Sequence, residues 1–188
     1  MTNTLRHYLT VATNIDSLQL ERIINCFHQK RLKKGSILLS ASETCREFYF
    51  VSSGIVRTYY LTKQGNEKTR HIAFENSFVS SVSSFINQTP SFEFVDVLED
   101  AELYSISYTN FYQLVAEVPG WTLFYQKFLE MAYISQNKKI ESRITLTASE
   151  RYRKSIAEDP RCIQRVSNKI LATYLDITQE TLSRLKSK

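Results

Sequence analysis

Between Ser36 and Ser107 the chain is built from short runs rich in β-branched and aromatic residues. They are Ile37–Leu39, Phe48–Val51, Ile55–Leu61, Thr69–Phe74, Phe92–Leu98 and Glu102–Ser107. Such runs favour a pleated, half-buried surface over a helix. Turn formers separate several of them: Ser52-Ser-Gly54, Lys63-Gln-Gly-Asn66 and Glu99-Asp100. Lys63–Asn66 reads as a hairpin tip, because Gly and Asn tolerate the positive φ that tight turns demand. Many short strands with close turns predict a sandwich, barrel or jelly roll. The serine-crowded stretch Asn76–Ser91, closed by Pro90-Ser91, interrupts that pattern. Its hydroxyls favour turns and caps, so a short helix or loop is expected there.

Helical periodicity flanks the β region on both sides. Before it, Leu18, Ile23, Ile24 and Phe27 share much of one face, and two short helices are expected over residues 4–29. After it, helix begins near Asn110, is interrupted at Pro119-Gly120, and resumes from Trp121 to about Glu141. Leu114, Val118, Trp121, Tyr125, Phe128, Ala132 and Ser135 recur at spacings of three and four. A long helix with such a stripe must pack on something. A second copy of itself gives a two-helix seam through Trp121, Tyr125, Phe128 and Ala132; the alternative partner is the chain's own β domain.

Charge is unevenly placed. Residues 138–188 carry twelve Lys/Arg against six Asp/Glu, whereas residues 1–137 carry twelve against thirteen. The whole formal excess of +5 therefore sits in the last quarter of the chain, the footprint of a segment that meets a polyanion or presents a solvated basic face. That quarter reads as helical. Thr147-Ala-Ser-Glu150 is a capping box opening a helix that ends before Asp159-Pro160. Arg161–Ser167 is short and compatible with a strand. Lys169–Leu175 and Gln179–Lys186 read as two helices joined at Asp176-Ile-Thr178, with Thr178 as N-cap and Ala172 permitting close approach. In such a helix-turn-helix the second helix presents its N-terminal residues to base edges in the major groove. Gln179, Glu180, Thr181, Ser183 and Arg184 are the candidate base readers. Arg184 suits guanine, Gln179 adenine, and Glu180 the amino group of cytosine. Lys169, Lys186 and Lys188 are candidate phosphate contacts. A plain basic helical hairpin is the competing reading.

At these residues the chain resembles the Crp/Fnr family of transcription regulators. Arg165–Arg184, and Ile177-Thr-Gln-Glu-Thr-Leu-Ser-Arg184 above all, is similar to that family's recognition motif, in the form found in Bacteroidetes members. Lys34-Gly35, Phe48–Arg57 and Leu98-Glu-Asp100 resemble the same family's cyclic-nucleotide-binding roll. The resemblance implies an α+β chain: N-terminal helices and an effector-sensing β jelly roll over 1–109, a dimerisation helix over 110–141, and a C-terminal winged helix-turn-helix over 142–188. It also implies a homodimer that binds double-stranded DNA in the cytoplasm, with RNA polymerase as a further partner. A small-molecule effector would sit near Glu75, Ser80, Ser81, Ser83, Ser84 and Ser91. That effector is not expected to be cAMP. The family's phosphate cassette carries a Gly and an Arg, but Glu75–Phe94 has neither, and no Lys or Arg occurs between Arg70 and Lys127.

No cofactor is expected. Cys26, Cys45 and Cys162 stand singly, short of the four ligands of an Fe–S sensor or the paired spacing of a zinc site, and read as reduced, mostly buried thiols. His7, His28 and His71 are too dispersed for a multi-His metal oxygenase site. No catalytic motif, signal peptide or membrane-spanning apolar run is present in the sequence. The rival to a DNA-binding regulator is a non-catalytic ligand sensor or protein-interaction module built on the roll.

Overall fold

The computed structural model describes residues 3–12 and 15–187. Contacts divide the chain into two compact units. One holds the described residues up to Thr58 together with Ile72–Leu129; the other holds Tyr59–His71 and the described residues from Glu130 onward.

The first unit opens with α1 (Asn3–Ala12) and α2 (Ser17–Ile24). Asp16 caps α2 by accepting the Gln19 amide at 2.8 Å, and Leu20, Ile23 and Ile24 face inward. Eight strands follow: β1 (His28–Leu32), β2 (Ile37–Leu39), β3 (Glu47–Ser53), β4 (Val56–Leu61), β5 (Glu67–Ala73), β6 (Ser77–Val79), β7 (Phe94–Val97) and β8 (Ala101–Ser107). They form two four-stranded sheets, ordered β1-β8-β3-β6 and β2-β7-β4-β5. A short α3 (Val82–Asn87) occupies the serine-rich interruption, as its composition predicts.

Two strands depart from the sequence reading. β1, His-Gln-Lys-Arg-Leu, lacks an apolar alternation and begins within the residues 4–29 expected to hold two short helices. Tertiary pairing makes it a strand: it runs antiparallel to β8, with Lys30 bound to Glu47 at 2.5 Å and Arg31 near Glu102 at 3.5 Å. β6 is three residues long and is held by its register on β3, Phe78 opposite Phe50.

The core between the sheets and helices is strongly aromatic. Phe48 packs edge-on to Phe111 and Phe128, and stacks on Phe78. α4 (Tyr108–Glu117), capped by Ser107, and α5 (Pro119–Thr145) complete it. The break at Pro119-Gly120 has a packing reason. A Cβ on Gly120 would lie 2.5 Å from Ile15 and 2.9 Å from the Gln19 amide oxygen, so only glycine lets α5 begin this close to α2.

The expected dimer seam is corrected here. Trp121 is fully buried, T-shaped against Phe27 and Phe111. Tyr125 shares a 3.0 Å hydroxyl hydrogen bond with Tyr112 and stands edge-on to Phe111. Phe128 packs on Phe48, and Ala132 is half-buried. The stripe of the first half of α5 therefore covers the chain's own roll, the alternative partner that its spacing left open. Along the second half the exposed apolar residues are others: Met131, Tyr133, Ile134, Ile140 and Ile144.

The second unit contains that half of α5, then α6 (Ala148–Glu158), α7 (Arg161–Arg165), α8 (Asn168–Leu175) and α9 (Gln179–Lys186). The capping box is formed: the Thr147 hydroxyl accepts the Glu150 amide while Glu150 accepts the Thr147 amide. Arg161–Arg165 is helical rather than extended, started by Pro160 with Asp159 accepting the Arg161 amide at 3.0 Å. No strand occurs among the described residues beyond Ser107. The expected wing is thus not found in them, and the region is a bundle of short helices. Lys188 lies outside the described residues.

Candidate nucleic-acid interface

α8 and α9 owe their arrangement to small inward-facing residues and two caps. Leu171, Ala172, Leu175 and Leu182 are buried, with Cys162 and Val166 beneath them. α8 starts at Ser167, whose hydroxyl accepts the Ile170 amide. It ends at Asp176, which adopts the left-handed conformation at φ 56° while the Ile177 amide bonds back to Ala172. Asp is among the few residues with a side chain that enter this region readily. Thr178 then caps α9, its hydroxyl accepting the Thr181 amide at 3.1 Å. The turn is three residues long, so α9 leaves at a fixed angle set by Asp176 and Thr178.

With Leu182 inside, helical spacing places Glu180 and Arg184 on the opposite face and Ser183 on its flank. Gln179, Glu180, Ser183 and Arg184 are all exposed. Thr181 is only half-exposed, and its hydroxyl lies 3.0 Å from that of Thr178, which ties it to the cap. Lys169 is exposed on the first turn of α8. Lys186, also exposed, reaches Asn168 at 2.5 Å and so bridges the start of α8 to the end of α9. Arg184 and Lys186 lie in the last turn of α9, where cations complement the helix dipole.

The outer part of the β4–β5 hairpin, Tyr59–His71, belongs to the same unit, and sequence reasoning gave no hint of that membership. Its tip forms as expected at Thr62–Asn66, with Gly65 at φ 79° supplying the turn. Beyond the tip, Lys68 pairs with Asp176 at 2.5 Å and the Thr69 hydroxyl lies 2.6 Å from that of Thr173. The Lys139 ammonium on α5 donates to the Arg70 carbonyl oxygen and sits 3.8 Å over the Tyr174 ring. The hairpin residues lie 69 to 108 positions from these partners in the chain. Local patterns carry no record of such pairings.

Burial leaves two basic groups of this unit poorly solvated. It lowers the Lys139 pKa to about 7, helped by Arg143 and Arg70, and lowers that of His71 to about 4, helped by Lys139 and Arg70. Both folded-state values lie below the unfolded ones, so the unfolded chain binds more protons in the interval and stability rises with pH. Stability of this unit should therefore fall as pH drops from about 10.5 to 7 through Lys139, and again from about 6.5 to 4 through His71. The two steps are expected to be on the order of 5 and 3 kcal/mol. Denaturant melts across that range check it; Lys139→Met should remove the alkaline step and shrink the acid one, because Lys139 helps to lower the His71 pKa.

The serines proposed around an effector do converge, but on protein partners. Ser81 and Ser91 hydroxyls lie 2.9 Å apart, Ser80 donates to the Glu47 carbonyl, and Ser84 donates to that of Thr89 while accepting the Cys45 amide. All four are buried. Ser83 is exposed on α3 and Glu75 accepts the Gly54 amide at 3.2 Å, so neither joins that cluster. Arg57, the arginine buried in this unit, is held bidentately by Asp96 at 2.9 and 2.6 Å. Cys45 and Cys162 are buried and Cys26 is half-buried. Burial raises the pKa of all three, that of Cys162 to about 11, which keeps them as thiols. No helix among the described residues is long and apolar enough to cross a membrane.

Comparison with known proteins agrees with this architecture. The family model of the cyclic nucleotide-binding domain matches residues 29–118. The fumarate and nitrate reduction regulatory protein of Vibrio cholerae is 25% identical over 178 residues, covering 89% of this chain and 70% of that protein. Its Escherichia coli K12 counterpart is 21% identical, covering 94% and 75%. Among solved structures, the c-di-GMP-responsive global regulator CLP of Xanthomonas campestris superposes with a TM-score of 0.74 at 18% identity, over 92% of this chain and 90% of that one. A transcriptional regulator of the Crp/Fnr family from Eubacterium rectale gives 0.71 at 17%, over 92% and 82%. With a roll that the cyclic nucleotide-binding domain model matches and a capped pair of helices after it in the chain, the protein is similar to members of the Crp/Fnr family.

Proposed function

We propose that the chain is a sequence-specific, non-catalytic DNA-binding transcription regulator that acts as a homodimer. The observation that carries the reading is the surface of α9, where Glu180 and Arg184 are exposed opposite buried Leu182 and Gln179 and Ser183 are exposed to either side of them. Those side chains offer the donors and acceptors that distinguish base pairs in the major groove. Lys169 and Lys186 flank them as phosphate contacts. Dimerisation is assigned to the second half of α5, whose exposed Tyr133, Ile134, Ile140 and Ile144 need cover. In the roll, Asp96 already neutralises Arg57 and the serines bond internally, which supports a regulator that does not answer to cAMP.

A fluorescence-anisotropy titration against fragments of the host genome, repeated at several salt concentrations, tests this. Specific fragments should bind with affinity that falls steeply as salt rises, because each neutralised phosphate releases counterions. Arg184→Ala should cost about 1–3 kcal/mol per half-site and relax preference at one base pair. Lys169→Ala should weaken all sequences alike and lower the salt slope by about one. Equal loss on every sequence for Arg184→Ala removes its base-reading role. A flat salt response would favour the protein-interaction module instead.

A further inference from the structure

Within the second unit, α5, α6 and the C-terminal end of α8 enclose a cleft of about 380 Å³. Five basic residues line it: Lys138, Lys139 and Arg143 from α5, Arg151 and Lys154 from α6. Glu158 is the only acid of the lining, and it lies 4.0 Å from Lys154. Arg151 is engaged by backbone, donating to the Leu175 and Leu146 carbonyl oxygens. Lys138 and Arg143 are exposed and make no hydrogen bond or ion pair among the described residues. Ile134, Tyr174 and Leu175 supply an apolar wall on the same cleft. Its volume matches that of pockets for small organic ligands.

Lys138, Arg143, Arg151 and Lys154 bring four like charges around one small space, to which Lys139 adds a fifth when protonated, and α9's exposed readers take no part in the lining. A small ligand with concentrated negative charge would relieve the repulsion, and an apolar portion would cover the wall. We propose that this cleft binds a small phosphorylated organic anion, its phosphate among Lys138, Lys139 and Arg143 and its apolar part against Ile134, Tyr174 and Leu175. The site is independent of the DNA-reading surface and stands or falls without it.

Lys139 supplies a signature of occupancy. It is faced by Arg70 and His71 of β5, Arg143 of its own helix, Cys162 of α7, and Tyr174 and Asp176 at the end of α8. In that setting its ammonium is largely deprotonated at pH 8. A phosphate beside it favours the charged form, so binding takes up a proton.

Calorimetric titration of the whole chain at pH 8, in two buffers of different ionisation enthalpy, measures both affinity and proton uptake. Phenyl phosphate is the probe and inorganic phosphate the charge-only control. Phenyl phosphate should bind roughly tenfold or more tightly than inorganic phosphate, since it alone meets the apolar wall. It should bring up to about one proton with it. The Lys138→Ala/Arg143→Ala double variant, altered at exposed positions, should weaken binding about tenfold or more. Lys139→Met should abolish the proton uptake, while Lys169→Ala should change nothing. Equal weak binding of both probes, indifference to the double variant, or loss of binding in Lys169→Ala would each overturn the proposal, the last by moving the anion to the DNA-facing side.

Discussion

Trp121→Ala is expected to lower unfolding stability by about 3–5 kcal/mol, the usual cost of deleting a large aromatic from a closed core. Trp121 is fully buried between Phe27, Phe111 and Phe124, so those rings would be left around a cavity. The loss should be the same at low and high protein concentration. Were Trp121 part of a subunit seam, it would instead appear as concentration-dependent dissociation. A conservative change separates packing from polarity. The indole Nε1 is buried without a hydrogen-bond partner among the described residues, a penalty that phenylalanine would not carry. Trp121→Phe should accordingly cost much less than the alanine variant, about 1–2 kcal/mol. Denaturant titration at two protein concentrations decides the matter. A variant that keeps its midpoint but loses its dimer would return Trp121 to the interface.

The second large effect concerns charge buried in the roll. Arg57→Met should cost about 3–5 kcal/mol, because the Asp96 carboxylate would keep its desolvation without the guanidinium that compensates it. The two are only 3% and 8% exposed and share two short hydrogen bonds between β4 and β7. Adding Asp96→Leu to Arg57→Met should recover most of the loss, since apolar residues of similar volume often replace a buried ion pair at little net cost. A double variant no more stable than Arg57→Met would mean that the pair is not what Arg57 contributes. Thermal or denaturant melts of the three variants measure this directly.

Much of the architecture can be read from local pattern, and the reasons are local too. Strands such as Phe48–Val51 and Glu102–Ser107 announce themselves by β-branched and aromatic content. The start of α6 is written in Thr147 and Glu150, which reciprocally satisfy each other's amides. α8 and α9 are legible because the cap at Thr178 and the apolar spacing of Leu171, Leu175 and Leu182 agree, whereas the cap at Ser167 is hidden at the end of a stretch compatible with a strand. The exposed face of α9 follows from that spacing once Leu182 points inward.

What escapes the sequence depends on distant partners. β1 is polar and becomes a strand only through β8 and the ion pairs of Lys30 and Arg31. Arg161–Arg165 is too short for periodicity to tell helix from strand, and Asp159 with Pro160 tips it to helix. The stripe on α5 identifies a buried face correctly but not what buries it: spacing is the same whether the cover is a roll or a twin. Thr181 has the chemistry of a base reader, yet its hydroxyl is turned to the cap of its own helix. The serines near α3 have the chemistry of a ligand cradle, but their bonds close on the protein itself.

The hairpin of β4 and β5 makes the C-terminal unit discontinuous in the chain. A gene fragment cut at residue 130 would therefore produce the helices without Lys68 and Thr69, which bind Asp176 and Thr173. The C-terminal helices cannot be lifted out with these bonds intact by one cut, as a modular tail could be. Grafting them onto another sensor would require bringing the loop along, or replacing the bonds it provides at the end of α8.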